Sequence, residues 1–115
     1  IIEHVNQIGD YLANRLDELV DKYDFITERR GVKLMQGLVF DRPVGDIIGK
    51  ALEKGLILIN AGPNIIRFVP PLVIEEEHVD KMIEILTSCL QYMEYDLWVL
   101  RNDLRLHFFL QPLLF

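Results

Sequence analysis

The 115-residue sequence predicts an α+β fold, in which a small antiparallel or mixed sheet carries helices packed mainly on one face. Two observations predict this class. Apolar residues recur at steps of three and four in three separate segments, which is typical of amphipathic helices. Short runs of strand-forming residues lie between these segments and are bounded by glycine, proline and asparagine. The predicted order is helix, strand, helix, strand, strand, helix.

The first helix is predicted over residues 1–23, and the first strand over residues 33–40. In the helix, one apolar stripe faces a side rich in acidic and amide residues. The stripe consists of Val5, Ile8, Leu12, Leu16, Leu19, Val20 and Tyr23. In the strand, two sets of residues alternate, as expected where successive side chains point to opposite faces. One set is Leu34, Gln36, Leu38 and Phe40, and the other is Met35, Gly37 and Val39.

The second helix is predicted to carry Pro43 in its first turn and to end at Gly55. Proline is tolerated in the first turn of a helix, and glycine commonly ends one in a left-handed conformation. The apolar stripe of this helix is Val44, Ile47, Ile48, Ala51 and Leu52.

A hairpin and a third helix complete the predicted domain. The apolar runs LILIN (56–60) and IIRFV (65–69) are separated by the turn-forming residues AGPN, which predicts two antiparallel strands. The second strand must end at Pro70, because proline cannot donate a ladder hydrogen bond. The third helix is predicted over residues 75–92, with glutamates in its first turn where they suit the positive end of the helix dipole.

The sequence after residue 92 differs in character from the rest. Residues 93–115 are strongly apolar, yet they fit no single helical stripe. We therefore divide the chain into a domain at 1–92 and an apolar C-terminal extension of unknown origin at 93–115. Packing on the open face of the sheet, docking on another copy, and a cloning or frameshift scar are all compatible with this segment.

Composition excludes several classes of function. The net charge is −6, and lysine and arginine are scattered, so nucleic acid is not an expected partner. No run approaches the roughly 20 apolar residues of a membrane span, and no membrane partner is expected. The one cysteine, Cys89, lies in a helical pattern as a small buried residue would, which fits a reducing, cytoplasmic compartment.

The residues that usually carry chemistry form no recognisable constellation. The histidines at positions 4, 78 and 107 are far apart in sequence, so no metal site is expected. Ser88 is the only serine and lies in a helical pattern without a neighbouring histidine, and no phosphate-binding glycine loop is present. No catalytic residue is therefore predicted on this chain. The chain also begins without Met inside a helical pattern, which is typical of a piece of a longer protein.

Arg67 is the candidate functional residue. It lies between Ile66 and Phe68 in an apolar strand, where an unpaired buried guanidinium would be costly. One interpretation is an edge-strand arginine that reaches water or pairs with a glutamate of its own domain. The other is that its planar fork binds the carboxylate of a substrate.

The segment GLILINAGPNIIRFVPPLVIEEEHVDKMIEIL resembles the C-terminal small domain of class III (fold type I) pyridoxal-phosphate-dependent aminotransferases. The upstream segments RRGVKLMQGLVF and ALEKGL match the same family in order and spacing, and the resemblance covers residues 1–90. The turn NAGPN (60–64) is most similar to that of the acetylornithine aminotransferases. Two positions depart from the family pattern: Lys33 replaces a glycine of an RGxGL motif, and Glu75 replaces a Thr or Ser cap.

The resemblance implies a function for Arg67. In the family, the matching arginine binds the α-carboxylate of the amino-acid or keto-acid substrate. The chain would then be the substrate-carboxylate-binding part of an enzyme that transfers the δ-amino group of N-acetylornithine to 2-oxoglutarate, giving glutamate, in arginine biosynthesis. The parent enzyme would use pyridoxal phosphate and would form a homodimer.

The resemblance also implies that this chain holds no cofactor and is inactive alone. The family's cofactor-binding residues belong to the large domain, and the lysines of this chain match none of their contexts. These lysines are Lys22, Lys33, Lys50, Lys54 and Lys81. The alternative is a free-standing α+β interaction or small-ligand module that self-associates through its apolar tail.

Overall fold

The computed structural model describes residues 2–69 and 74–102. Within them the helices and strands are α1 (Ile2–Lys22), β1 (Ile26–Val32), β2 (Met35–Phe40), α2 (Gly45–Glu53), β3 (Ile59–Gly62), β4 (Ile65–Phe68) and α3 (Glu76–Asn102). The strands form one sheet in the order β1-β2-β4-β3, and every neighbouring pair is antiparallel. The predicted α+β class is confirmed, and the sheet is antiparallel rather than mixed.

The sheet has one face covered by helices and one face left open. On β2 and β4, alternate side chains are buried, as a half-buried strand requires. The buried set is Gln36, Leu38, Phe40, Ile66 and Phe68. The four apolar members of this set join a single hydrophobic core with residues of all three helices, such as Leu12, Leu16, Ile47, Val79 and Leu86. The predicted alternation in β2 is therefore confirmed.

Helix α1 follows the prediction closely and approaches the β1–β2 turn at Gly9. A Cβ atom added to Gly9 would lie 2.6 Å from backbone atoms of Lys33. Lys33 itself has φ +54°, a left-handed conformation that most L-residues avoid. The family glycine that Lys33 replaces would adopt this conformation without strain.

Strand β1 was not predicted. Between Ile26 and Val32 only Ile26 is buried, because β1 lies at the edge of the sheet and carries the polar run Thr27 to Arg30. A polar edge strand lacks the apolar alternation by which strands are recognised in a sequence. The predicted strand at 33–40 begins at Met35, because residues 33 and 34 form the turn after β1.

The second helix begins at Gly45 with Val44 as its N-cap, so Pro43 lies before the helix and not in its first turn as predicted. The helix ends as predicted. Gly55 follows the C-cap Lys54 with φ +90°, and the Leu56 amide donates to the Ala51 carbonyl. The antiparallel hairpin is also confirmed, although β3 begins at Ile59 rather than at residue 56.

Helix α3 continues ten residues beyond the predicted end at residue 92. Its buried side chains stop at Leu90, so the last three turns have no buried residue. The proposed extension at 93–115 thus begins inside a helix, and residues 103–115 lie outside the described part of the chain. The division at residue 92 stays a prediction. Over residues 2–69 and 74–102, no helix has both the length and the apolar character for crossing a bilayer.

Candidate functional site

Arg67 projects from the open face of the sheet rather than into the core. Its neighbours Ile66 and Phe68 are buried beneath the helices, whereas Arg67 is exposed. Because successive side chains of a strand point to opposite faces, the apolar residues around Arg67 in the sequence are not its neighbours in space. The fold thus removes the conflict that the sequence presents at this position.

A row of four residues crosses the open face through Arg67. Strand pairing places Arg30 opposite Gly37, Gly37 opposite Arg67, and Arg67 opposite Ile59. Residues that are directly opposite one another share a face of the sheet, so the two arginines flank Gly37 on the same side.

An open cavity of about 330 Å³ lies over this row. Its lining includes Arg30, Met35, Gly37, Ala61, Ile65 and Arg67. Because Gly37 has no side chain, the floor of the cavity between the two arginines lies at the backbone of β2. A Cβ atom added to Gly37 would lie 3.1 Å from the Ile66 carbonyl oxygen. The result is a concave surface with a cation on each side and, among the described residues, only Gly37 between them in the row.

The two arginines differ in their partners. Within residues 2–69 and 74–102, no carboxylate oxygen lies within 4.0 Å of the Arg67 guanidinium. Arg30 does have an acid: its Nη2 lies 2.6 Å from Oε1 of Glu28, and its Nε donates to the same oxygen at 2.7 Å. Pairing of Arg67 with a glutamate of its own domain, one branch of the first interpretation, is not found among the described residues. The other branch, a guanidinium that reaches water, agrees with the exposure of Arg67, although β4 lies inside the sheet and not at its edge.

The residues of this cavity do not fit pyridoxal phosphate by themselves. No lysine lines the cavity, so the described residues offer guanidinium donors to an anion but no amine for linkage to the cofactor. Several lysines have other contacts. Lys50 and Lys54 lie over the ring of Tyr92, at 4.7 and 5.4 Å from its centroid, and Lys22 lies 5.3 Å from that of Tyr23.

The described histidines have structural contacts. His4 Nε2 lies 3.0 Å from the Ile74 carbonyl oxygen and 3.5 Å from a Glu75 carboxylate oxygen. His78 Nδ1 accepts a hydrogen bond from the Glu75 amide. Within the described ranges, no three His, Cys, Asp or Glu side chains are grouped to hold a metal ion. His107 lies outside those ranges.

Ser88 and Cys89 also have structural roles. The Ser88 hydroxyl donates to the Ile85 carbonyl at 2.7 Å and accepts from Lys54. Cys89 is a free thiol and is buried in the core, as predicted. Neither side chain is arranged as a nucleophile beside a base.

The displaced pKa values belong to groups outside the cavity. A hydrogen bond to Asp80 raises the pKa of Tyr11, and that of Arg15 is raised by its hydrogen bond with Tyr11. A hydrogen bond from Arg42 lowers the pKa of Asp41 and raises that of Arg42. These are interactions of partly exposed pairs at the surface rather than signs of a catalytic centre.

Two residues of the row were missed in the sequence. Arg30 lies on β1, which was not predicted, and Gly37 appeared only as part of an alternation. Gly37 belongs to the less buried set of the β2 alternation, so it could have been assigned to the open face. Its placement between two arginines depends on strand register, which no local pattern specifies.

Comparison with known proteins identifies what this chain resembles. The family model of the class III aminotransferases matches residues 1–90. An acetylornithine aminotransferase of Methanocaldococcus jannaschii is 39% identical over 84 residues, which cover 73% of this chain and 21% of that protein. A mitochondrial acetylornithine aminotransferase of Eremothecium gossypii is 47% identical over 70 residues, covering 61% of this chain and 16% of that protein.

Solved structures show the same resemblance. A lysine aminotransferase from M. tuberculosis superposes with a TM-score of 0.74 at 29% identity, over 78% of this chain and 21% of that one. An acetylornithine aminotransferase from Elizabethkingia anophelis gives a TM-score of 0.71 at 26% identity, over 78% of this chain and 24% of that one. The chain spans about a fifth of the length of the curated relatives that it matches.

Proposed function

The chain belongs to the class III aminotransferase family, and we propose that it is the substrate-carboxylate-binding C-terminal part of an acetylornithine aminotransferase. The parent enzyme transfers the δ-amino group of N-acetylornithine to 2-oxoglutarate and yields glutamate, a step of arginine biosynthesis. The chemistry of amino-group transfer would be supplied by pyridoxal phosphate, and residues outside this chain would hold it.

The observation that supports this proposal is the position of Arg67 at an open cavity without an acidic partner among the described residues. Its guanidinium lies at an open cavity, and the described residues supply no acid within salt-bridge distance. A guanidinium presents two parallel N–H donors that match the two oxygens of a carboxylate. Held in this way, the α-carboxylate of either substrate would be oriented before the reaction, which is a positioning effect rather than chemistry by Arg67 itself.

The choice of acetylornithine rests on the relatives. Proteins named acetylornithine aminotransferase match this chain at 31–47% identity. The lysine and ornithine aminotransferases of known structure superpose at 27–29% identity and the acetylornithine aminotransferases at 26%, so the choice comes from the sequence relatives and not from the solved structures. The comparisons do not favour a free-standing interaction module. We also propose that the parent enzyme is a cytoplasmic homodimer. Sedimentation of the intact enzyme would test the dimer, and cell fractionation would test the location.

The test is Arg67→Lys in the intact enzyme. Lysine keeps the charge but loses the bidentate fork, so kcat/KM for both N-acetylornithine and 2-oxoglutarate should fall about tenfold or more, which corresponds to about 1.4 kcal/mol. Arg42→Lys serves as the control, because Arg42 is paired with Asp41 away from the cavity. If both specificity constants stay unchanged in Arg67→Lys, Arg67 does not bind the substrate carboxylate.

The chain by itself should bind 2-oxoglutarate only weakly and should show no transaminase activity. Half of the site is supplied by the missing part, so a dissociation constant of about 1 mM or higher is expected, equivalent to about −4 kcal/mol. Calorimetric titration of the 115-residue chain, with and without Arg67→Gln, measures this. Transamination by the chain with added pyridoxal phosphate would contradict the proposed division of the site.

A further inference from the structure

Arg30 and Glu28 form a charged pair on the open face, beside the proposed carboxylate site. Both lie on β1, two residues apart, and both point to the face that carries Gly37 and Arg67. Two strand spacings, about 10 Å, separate the backbones of Arg30 and Arg67. Arg30 is directed to the same cavity, where its side chain is 62% exposed.

We propose that Arg30 is a positioning residue of the Arg67 site and that Glu28 sets its strength. The Arg30 charge attracts the carboxylate that Arg67 binds, whereas Glu28 partly neutralises Arg30 while it remains paired. The proposal rests on the function inferred for Arg67, and it adds to the site a cation and an opposing acid from a second strand.

The physical basis is charge acting across a concave and partly enclosed surface. Clefts lined by charge of one sign concentrate ligands of the opposite sign, and the walls weaken solvent screening. Gly37 adds to this effect, because the sheet position between Arg30 and Arg67 carries no side chain. At this separation a single charge should change anion affinity several-fold at low salt and much less at high salt, because the Debye length is about 10 Å at 0.1 M.

Neutralising Glu28 and neutralising Arg30 should change carboxylate affinity in opposite directions. A single Glu28 oxygen contacts both Nε and Nη2 of Arg30. Neutralising Glu28 should therefore release Arg30 and strengthen carboxylate binding, whereas neutralising Arg30 should weaken it. If the Arg30–Glu28 pair were purely structural, substitution of either residue would weaken carboxylate binding. Opposite effects therefore distinguish an electrostatic role from a structural one.

The experiment uses the intact enzyme with Arg30→Gln, Arg30→Lys, Glu28→Gln and the double variant Arg30→Gln/Glu28→Gln. KM and kcat for 2-oxoglutarate and N-acetylornithine are measured at about 0.02 M and 0.5 M salt. At low salt we expect Arg30→Gln to raise both KM values about three- to tenfold, with kcat within about twofold. Arg30→Lys should restore KM, because the effect depends on charge. Glu28→Gln should lower KM about two- to threefold, and this gain should vanish in the double variant.

Arg42→Gln is the matched control, since it removes one positive charge outside the cavity and should leave KM unchanged. The inference is overturned if Glu28→Gln and Arg30→Gln shift KM in the same direction. It is also overturned if neither moves KM while Arg67→Lys does, a result that leaves the proposed function in place. If Arg67→Lys changes nothing, the proposed function fails and this inference fails with it.

Discussion

Two adjacent arginines show how the two faces of the sheet differ. Arg29 lies on the helix-covered face, where its Nε donates to Asp17 of α1 at 2.7 Å and its Nη1 donates to the buried Gln36 at 2.8 Å. Arg30 lies on the open face with an acid from its own strand as its contact. Of two neighbouring arginines on β1, Arg29 therefore links the sheet to helix α1, whereas Arg30 faces the cavity.

The comparison of the two faces shows which contacts give an arginine a structural role. On the covered face, the fold supplies an anion from a different element, so the guanidinium joins two parts of the core. On the open face, Arg67 has no acid within salt-bridge distance among the described residues, so binding an anion there need not break a contact of that kind. The covered face is therefore expected to govern stability, and the open face to govern binding.

The largest expected difference is between apolar side chains of the two faces. Phe68→Ala should lower the free energy of unfolding by about 3–5 kcal/mol, because Phe68 is 1% exposed and a cavity would remain. Val32→Ala should change it by less than about 0.5 kcal/mol, because Val32 is 73% exposed. Urea unfolding of the 115-residue chain measures both. A similar loss in the two variants would mean that the open face is not a separate region in stability.

The next effect concerns how closely α1 covers the sheet. Gly9→Ala should destabilise the chain by about 2 kcal/mol, since the added methyl would meet Lys33 backbone atoms at 2.6 Å and α1 would have to move. Gly49→Ala is the matched control within α2, where no atom of the described part of the chain lies within 4 Å of the added methyl. It should stabilise by up to about 1 kcal/mol through helix propensity. The melting temperatures of the two variants show whether each substitution stabilises or destabilises the chain. An increase for Gly9→Ala would contradict the close contact between Gly9 and Lys33.

A smaller effect separates the two kinds of arginine partner. Asp17→Asn should cost about 1 kcal/mol, because Arg29 is mostly buried and would lose its carboxylate. Glu28→Gln should cost less than about 0.5 kcal/mol, because both members of that pair are largely exposed. Denaturant unfolding of the two variants tests this ranking. If Glu28→Gln were the more damaging, the Arg30 pair would be structural.

The smallest effect is a pH dependence at a third arginine pair. The hydrogen bond from Arg42 holds the pKa of Asp41 below its ordinary value of 3.8, so the pair adds stability above that value. This contribution is lost as pH falls through the lowered folded-state pKa. Because both side chains are substantially exposed, Asp41→Asn should remove only a few tenths of a kcal/mol of acid-dependent stability. Melting temperatures between about pH 5 and 2 would show it. If the melting temperature of Asp41→Asn falls with pH as that of the unsubstituted chain does, the Asp41–Arg42 pair does not contribute to acid-dependent stability.

Sequence reasoning was successful where local periodicity carries the information. The three helices, the phase of β2, the hairpin and the left-handed Gly55 each depend on residues within a few positions of one another. Residue types along one strand were also enough to mark Arg67 as unusual. The end of α3 was misplaced, because residues 93–102 continue the helix without any buried stripe.

By itself, the sequence determined which segments are amphipathic, where turns interrupt them, and that one arginine stands among apolar strand residues. The tertiary structure decided that β1 exists as a polar edge strand, that Lys33 takes a left-handed conformation against Gly9, and that Arg30 lies across Gly37 from Arg67. The physical reason is that amphipathicity is a property of neighbours along the chain, whereas the register of paired strands is set by packing between residues far apart in it.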